Sequence, residues 1–193
     1  MSSTSASAPA RRDPGARRAE RVDALVDATI TELREHGYEG LTVRNAARRA
    51  DVSAASAYTY FASKDHLVAE VFWRRLQLLE PPPAAGPSTD RMAVALRDLA
   101  LLIAEEPELA AASTTAVLAV DPDVQRLRTR IGAAFNDHLA AALGSHADPR
   151  VLRALNLALA GALLQAGMGY FTYAELADRM DEVATLVLAG AAA

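Results

Sequence analysis

Cysteine is absent from the 193 residues, and lysine occurs once, at Lys64. Without thiols the chain can form neither disulfides nor thiolate metal sites, and a reducing cytoplasm is its natural compartment. Aromatic residues are scarce, 5% of a chain that is 51% hydrophobic. Alanine, the best helix former, is very abundant, so the expected fold class is all-α. Long apolar runs are also lacking. The most apolar stretch, 157–168, is shorter than the ~20 residues a membrane helix needs and contains Gln165. No apolar segment follows Met1, so no signal peptide is expected and the chain reads as soluble and cytoplasmic, with no membrane partner.

Catalytic signatures are missing as well. There is no Gly-rich phosphate loop, no Gly-x-Ser-x-Gly elbow and no His-Glu-x-x-His segment. His36, His66, His138 and His146 lack metal-ligand spacing, and Asp137-His138 reads as a solvated face. Glu105-Glu106 beside Pro107 reads as a helix end and not as an acid–base pair. The expectation is no metal, no cofactor and no enzyme activity.

The net charge of −4 is unevenly spread. Residues 1–75 hold twelve Arg/Lys against ten Asp/Glu, a net of +2, while residues 76–193 hold eight against fourteen, a net of −6. This places a nucleic-acid-facing part at the N-terminal end and an acidic remainder facing away. At this length one or two domains are expected.

Residues 42–61 carry the strongest local signal. Val43, Ala46, Ala47 and Ala50 recur at i, i+3, i+4 and i+7, one face of a short helix. Thr42 and Ser53 are N-cap residues for that helix and for a second one, with Val52 as the apolar plug between them. In the second helix Ala57 and Phe61 share the inward face. Ala55, Ser56, Thr59 and Tyr60 form the outward face, with Tyr58 at its edge. A helix that enters the major groove reads base edges with its N-terminal part, where small residues permit close approach. The pattern is that of a helix-turn-helix DNA reader.

The run Leu41-Thr42-Val43-Arg44, then Ala47-Arg48-Arg49-Ala50-Asp51-Val52-Ser53, then Ala57-Tyr58-Thr59-Tyr60-Phe61 and Ser63-Lys64-Asp65-His66-Leu67, resembles the TetR/AcrR family of bacterial transcriptional regulators. The resemblance covers roughly residues 20–70; the remainder is similar only in being all-helical. Ala54, Ala55 and Ala57 depart from the usual pattern, where a basic or polar residue, a glycine and a larger aliphatic are common. The resemblance implies a homodimeric DNA-binding regulator with a C-terminal effector cavity.

Along the rest of the chain, residues 1–17 read as a disordered tail, or as an arm whose arginines reach phosphate or the minor groove. A first helix is expected over 18–36, with Gly37 as its C′ residue. Ser63 caps a fourth helix, with Lys64 in its first turn. A cation there opposes the helix dipole, so Lys64 is either compensated by DNA phosphate or simply solvated. That helix runs to about Leu79, and Pro81-Pro82-Pro83 marks the boundary. The expected division is 18–78 for DNA binding and 79–193 for effector binding and dimerisation. Five further helices are expected over 89–106, 107–120, 122–144, 149–169 and 172–189, about nine in all.

The eighth helix is apolar on nearly every side, so it is either a central core helix or one that meets a partner. In the second reading Ala158, Leu159, Gly161, Ala162 and Ala166, with Met180, Val183 and Val187 of the ninth helix, form a four-helix dimer interface. An effector pocket would draw on Met92, Leu96, Ile103, Phe135, Leu164 and Met168, residues that serve equally well as plain core.

The function expected is a homodimeric repressor, released from a palindromic double-stranded DNA operator by a small apolar effector. Thr42, Arg44, Ser53, Tyr58, Tyr60 and Lys64 are the phosphate-side candidates; Ala55, Ser56 and Thr59 face the bases. The alternatives are a ligand-independent architectural or partner-controlled DNA binder, and a helical enzyme that retains the motif by descent.

Overall fold

The computed structural model describes residues 14–192 apart from Ile103 and Glu105. Among them are nine α-helices: α1 (Pro14–Gly40), α2 (Val43–Arg49), α3 (Ala54–Tyr60), α4 (Lys64–Leu76), α5 (Ser88–Leu101), α6 (Pro107–Ala116), α7 (Pro122–Leu143), α8 (Pro149–Gly167) and α9 (Tyr173–Ala192). A single 3-10 turn, Gly144–His146, joins α7 to α8. The fold class is all-α, as the alanine-rich composition implies.

Helix starts follow the local chemistry closely. Thr42, Ser53 and Ser63 each accept a hydrogen bond from the amide three residues on, capping α2, α3 and α4. Asp121 and Asp148 cap α7 and α8, whose first residues are Pro122 and Pro149, and Pro107 opens α6. α1 breaks at Gly37, which has φ 65°, a conformation that costs glycine little. It begins at Pro14, so residues 14–17 are helical where a disordered tail was expected; residues 1–13 lie outside the described part.

Helix ends depart further from expectation. α4 stops at Leu76 and not at Leu79, leaving Leu78 exposed. α5 ends at Leu101, five residues short of the expected 106, and α6 at Ala116, short of 120. In both places apolar periodicity continues into a segment that ends in proline. The residue before a proline is driven out of the α region, and Glu106 and Asp121 both are.

One buried apolar cluster runs through the molecule. In the N-terminal part Leu25 and Leu33 of α1 meet Val43, Ala46 and Ala47 of α2 and Ala57 of α3. α6 packs against both α1 and α4, and α4 also packs on α7. α5 lies on α7 and α9, and α8 on α9. Helix α4 therefore belongs to both halves. At the α6–α8 crossing, a Cβ on Gly167 would sit 2.6 Å from Thr114 Oγ1, so this position takes no larger residue without a shift.

Candidate nucleic-acid interface and pocket

The turn between α2 and α3 closes with the hydrogen bonds of a Schellman motif. The Val52 amide donates to Ala47 O at 2.9 Å and the Asp51 amide to Arg48 O at 3.4 Å. Asp51 sits at φ 53°, the left-handed position usually taken by glycine. Val52 packs into the core behind the turn.

α3 buries Ala57 completely and Phe61 next to it, and turns the rest outward. Ala55, Tyr58 and Thr59 are exposed; Ser56 and Tyr60 are half-buried. Ser53 Oγ accepts from the Ser56 amide at 3.2 Å and donates to Ser56 Oγ at 2.9 Å. Thr59 Oγ1 donates to Ser56 O at 2.6 Å, which leaves its methyl as the group not engaged by the helix. The Arg18 guanidinium lies 5.5 Å from the Tyr60 ring, tying the start of α1 to the end of α3. Thr42 and Arg44 are exposed on α2, with the Thr42 hydroxyl accepting from the Asn45 amide at 3.0 Å. All the expected DNA-facing residues of α2 and α3 thus lie on the surface or at its edge.

Lys64 is placed differently from expectation. Its Nζ donates to Tyr38 O at 3.0 Å and lies 4.0 Å from the Tyr38 ring. The backbone carbonyl and ring offset the unfavourable first-turn position. Tyr38 in turn donates its hydroxyl to Asp65, and burial together with that carboxylate pushes the phenol well above its ordinary range.

The residues that hold the motif in place carry little signal in the sequence. Glu32, buried on the inner face of α1, accepts from Arg49 Nε at 2.7 Å. Arg49 also pairs with Glu35, and His36 lies 3.3 Å from Glu32. Glu32, Glu35 and His36 are close enough to suggest a cation site, but Arg49 already supplies the positive charge. The one available signal was an acid among the apolar residues of α1. Glu106, a helix-end residue ahead of α6 as expected, also forms ion pairs: Arg34 lies 3.2 Å away and Arg75 reaches its other oxygen, joining α1, α4 and α6.

Behind the motif a cavity of about 470 Å³ opens between α4, α6, α7, α8 and α9. Its apolar walls include Phe72, Val117, Ile131, Phe135, Leu163 and Leu164. Phe72 meets Phe135 edge-on at 6.3 Å. Of the expected pocket residues only Phe135 and Leu164 line it. Met92 and Leu96 are fully buried core on the inner face of α5, and Met168 is exposed outside the cavity. Ile103 lies outside the described residues.

The expected interface set also needs correction. Leu159 and Ala166 of α8 and Met180 of α9 are buried within the chain, because the two helices pack on each other and on α5 and α6. Ala158, Ala162, Val183 and Val187 are half-buried against the protomer's core, and Gly161 forms part of the cavity wall. The large apolar residues left exposed are Leu157 and Leu164 on α8 and Met168 at its C-cap, with Leu186 on α9. No helix among the described residues is long and apolar enough to cross a membrane.

Comparison with known proteins bears directly on this geometry. A family model described as "Bacterial regulatory proteins, tetR family" matches residues 25–71, which contain the whole motif. An uncharacterized HTH-type transcriptional regulator of Mycobacterium tuberculosis, Rv0767c, is 48% identical over 173 residues, 86% of this chain and 80% of its own. The HTH-type transcriptional repressor KstR of Rhodococcus jostii is 30% identical over 128 residues, 64% of this chain and 60% of its own. Among solved structures, a TetR transcriptional regulator from Rhodococcus sp. RHA1 superposes with a TM-score of 0.72 at 20% identity, covering 90% of this chain and 98% of that one. With the exposed reading helix and a relative alike along most of its length, the chain belongs to the TetR family of bacterial regulatory proteins, DNA-binding transcription regulators and not enzymes.

Proposed function

We propose that this regulator is a cytoplasmic homodimeric repressor that leaves a palindromic operator when a small apolar effector fills the cavity behind α4. The observation that carries the reading is the double role of α4. Its cap Ser63 follows the recognition helix by three residues, while Phe72, two turns on, forms part of the cavity wall. A ligand in contact with Phe72 and Phe135 acts on the helix that carries the DNA-binding part. Cavities of about 300–1,000 Å³ suit small-molecule ligands, and this one is within that range at about 470 Å³.

In this reading residues 18–78 bind DNA and 79–193 bind the effector and dimerise. Two copies present their α3 helices to half-sites one helical turn, or a multiple, apart. Ala55, Ser56 and Thr59 face the bases; Thr42, Arg44, Ser53, Tyr58, Tyr60 and Lys64 attend the phosphates. The exposed residues Leu157, Leu164 and Met168, at i, i+7 and i+11 on one face of α8, supply the dimer contact together with Leu186. The name repressor, borne by KstR, supports the sign of regulation. An effector changes occupancy only by binding the two states with different affinity.

The test is a pull-down of genomic fragments with purified protein, followed by titration of the enriched duplex. Sequence-specific binding to a palindrome, weakened by a cavity ligand, is the expected result. Specific binding that no cavity-filling molecule alters would leave a partner-controlled DNA binder in its place.

A further inference from the structure

The cavity wall is apolar except at a few points, and those points are informative. Inside, Thr114 Oγ1 and the Tyr173 hydroxyl satisfy one another at 3.2 Å. Ser113 also contributes to the wall, yet its buried hydroxyl has no hydrogen-bond partner. Among the described residues the only charged side chain of the lining is Arg128. Its Nη1 donates to Val117 O at 3.0 Å, which folds the guanidinium back toward the α6 side of the cavity.

Its neighbours on α7 are engaged away from the cavity. Arg126 pairs with Asp123, and Arg130 stacks over Trp73 at 4.4 Å. Among the described residues no carboxylate lies within ion-pair distance of Arg128, although residues 76–193 carry a net charge of −6. A guanidinium without a counter-charge, beside an apolar hollow, is a receptor for a carboxylate, phosphate or sulfonate.

We infer that the ligand of this cavity is an anionic amphiphile, an apolar body within the α4–α6–α7–α8 walls with its anionic end on Arg128. The assignment rests on the cavity being a ligand site, as proposed above. A purely apolar molecule would fill the hollow and leave Arg128 unanswered.

Two fluorescent probes with one skeleton separate these cases: 8-anilinonaphthalene-1-sulfonate and the uncharged N-phenyl-1-naphthylamine. The 193-residue protein should bind the sulfonate at least about tenfold more tightly, the worth of one charge-assisted contact. Arg128→Gln, at an exposed position, should abolish that preference and leave the neutral probe's affinity within about twofold. Gly132→Trp, which fills the hollow from α7 where a side chain meets open space, should exclude both probes. Gly161→Leu does the same from α8 if the first variant fails to fold.

Equal affinity for the two probes, or a preference that survives Arg128→Gln or the filled cavity, overturns the inference. Arg128-dependent binding of the sulfonate that leaves operator affinity unchanged upholds the site and sinks the effector reading instead. Release of DNA by neutral but not by anionic molecules does the reverse.

Discussion

Ser63 donates a hydrogen bond to Asp121 at 2.7 Å, so the cap of α4 is joined to the cap of α7. The same Ser63 oxygen accepts from the His66 amide, and the other Asp121 oxygen accepts from the Asp123 amide. One contact thus links the end of the recognition motif to a helix that lines the cavity. The Ser63 hydroxyl and two backbone amides hold the Asp121 carboxyl below its ordinary range.

Asp121→Ala removes a helix cap and this link together and should cost about 1–2 kcal/mol of stability. Asp121→Asn keeps the cap and removes the titration. A carboxyl with a depressed folded pKa stabilises above the unfolded value, near 3.9, and loses that contribution as pH falls through the folded value. The stability gap between wild type and Asp121→Asn should hold from pH 7 to 5 and close below about pH 4. Denaturant unfolding across that range measures it, and a gap that widens in acid contradicts the assignment.

Lys64 already serves Tyr38, but an ammonium has three donors and only one is committed there. Lys64→Ala should reduce the slope of log affinity against log salt by about one unit per subunit, equally on specific and random DNA. An unchanged slope would assign Lys64 to Tyr38 alone.

Thr59 spends its hydroxyl on Ser56 O, so the methyl is what it offers to DNA. Contact with a thymine methyl predicts that Thr59→Ser weakens operator binding by roughly 1 kcal/mol, as Thr59→Ala does, while Thr59→Val retains it. Non-specific affinity should be unaffected in all three. Binding to operator and scrambled duplexes at one salt concentration decides it. Loss in the valine and alanine variants with the serine variant spared would mean that the hydroxyl matters instead.

The reading helix was legible because its determinants are local. Thr42, Ser53 and Ser63 each bond within three residues, and Ala57 and Phe61 turn inward at a spacing that the helix itself dictates. α8 was only half legible. Its apolar residues surround the helix, so periodicity could not say which side its own protomer covers. Leu159 is fully buried while Leu157, two residues away, is 76% exposed. Glu32–Arg49 and Lys64–Tyr38 were beyond reach for another reason. These partners are 17 and 26 residues apart, and only the packing of α1 on its neighbours brings them together.

That distinction gives a direct test of the dimer face. Leu159→Arg should unfold the protomer, because it buries an unpaired charge in the core. Leu157→Arg should leave helix content and melting cooperativity intact yet shift the sedimentation coefficient toward the monomer. A folded Leu157→Arg variant that sediments as wild type does would move the interface elsewhere on the molecule.

Ser113 offers the last test, made without any ligand. Its hydroxyl is buried in the wall with no partner, and a buried hydroxyl left unpaired costs about 1–3 kcal/mol. Alanine fits the same space, forfeits no hydrogen bond and favours the helix. Ser113→Ala should therefore stabilise the ligand-free protein by about 1 kcal/mol, roughly 2–4 °C in melting temperature for a chain of this size. The comparison is made at one protein concentration, because the proposed dimerisation would itself raise apparent stability. A melting temperature equal to or below wild type would show that the hydroxyl is satisfied in solution.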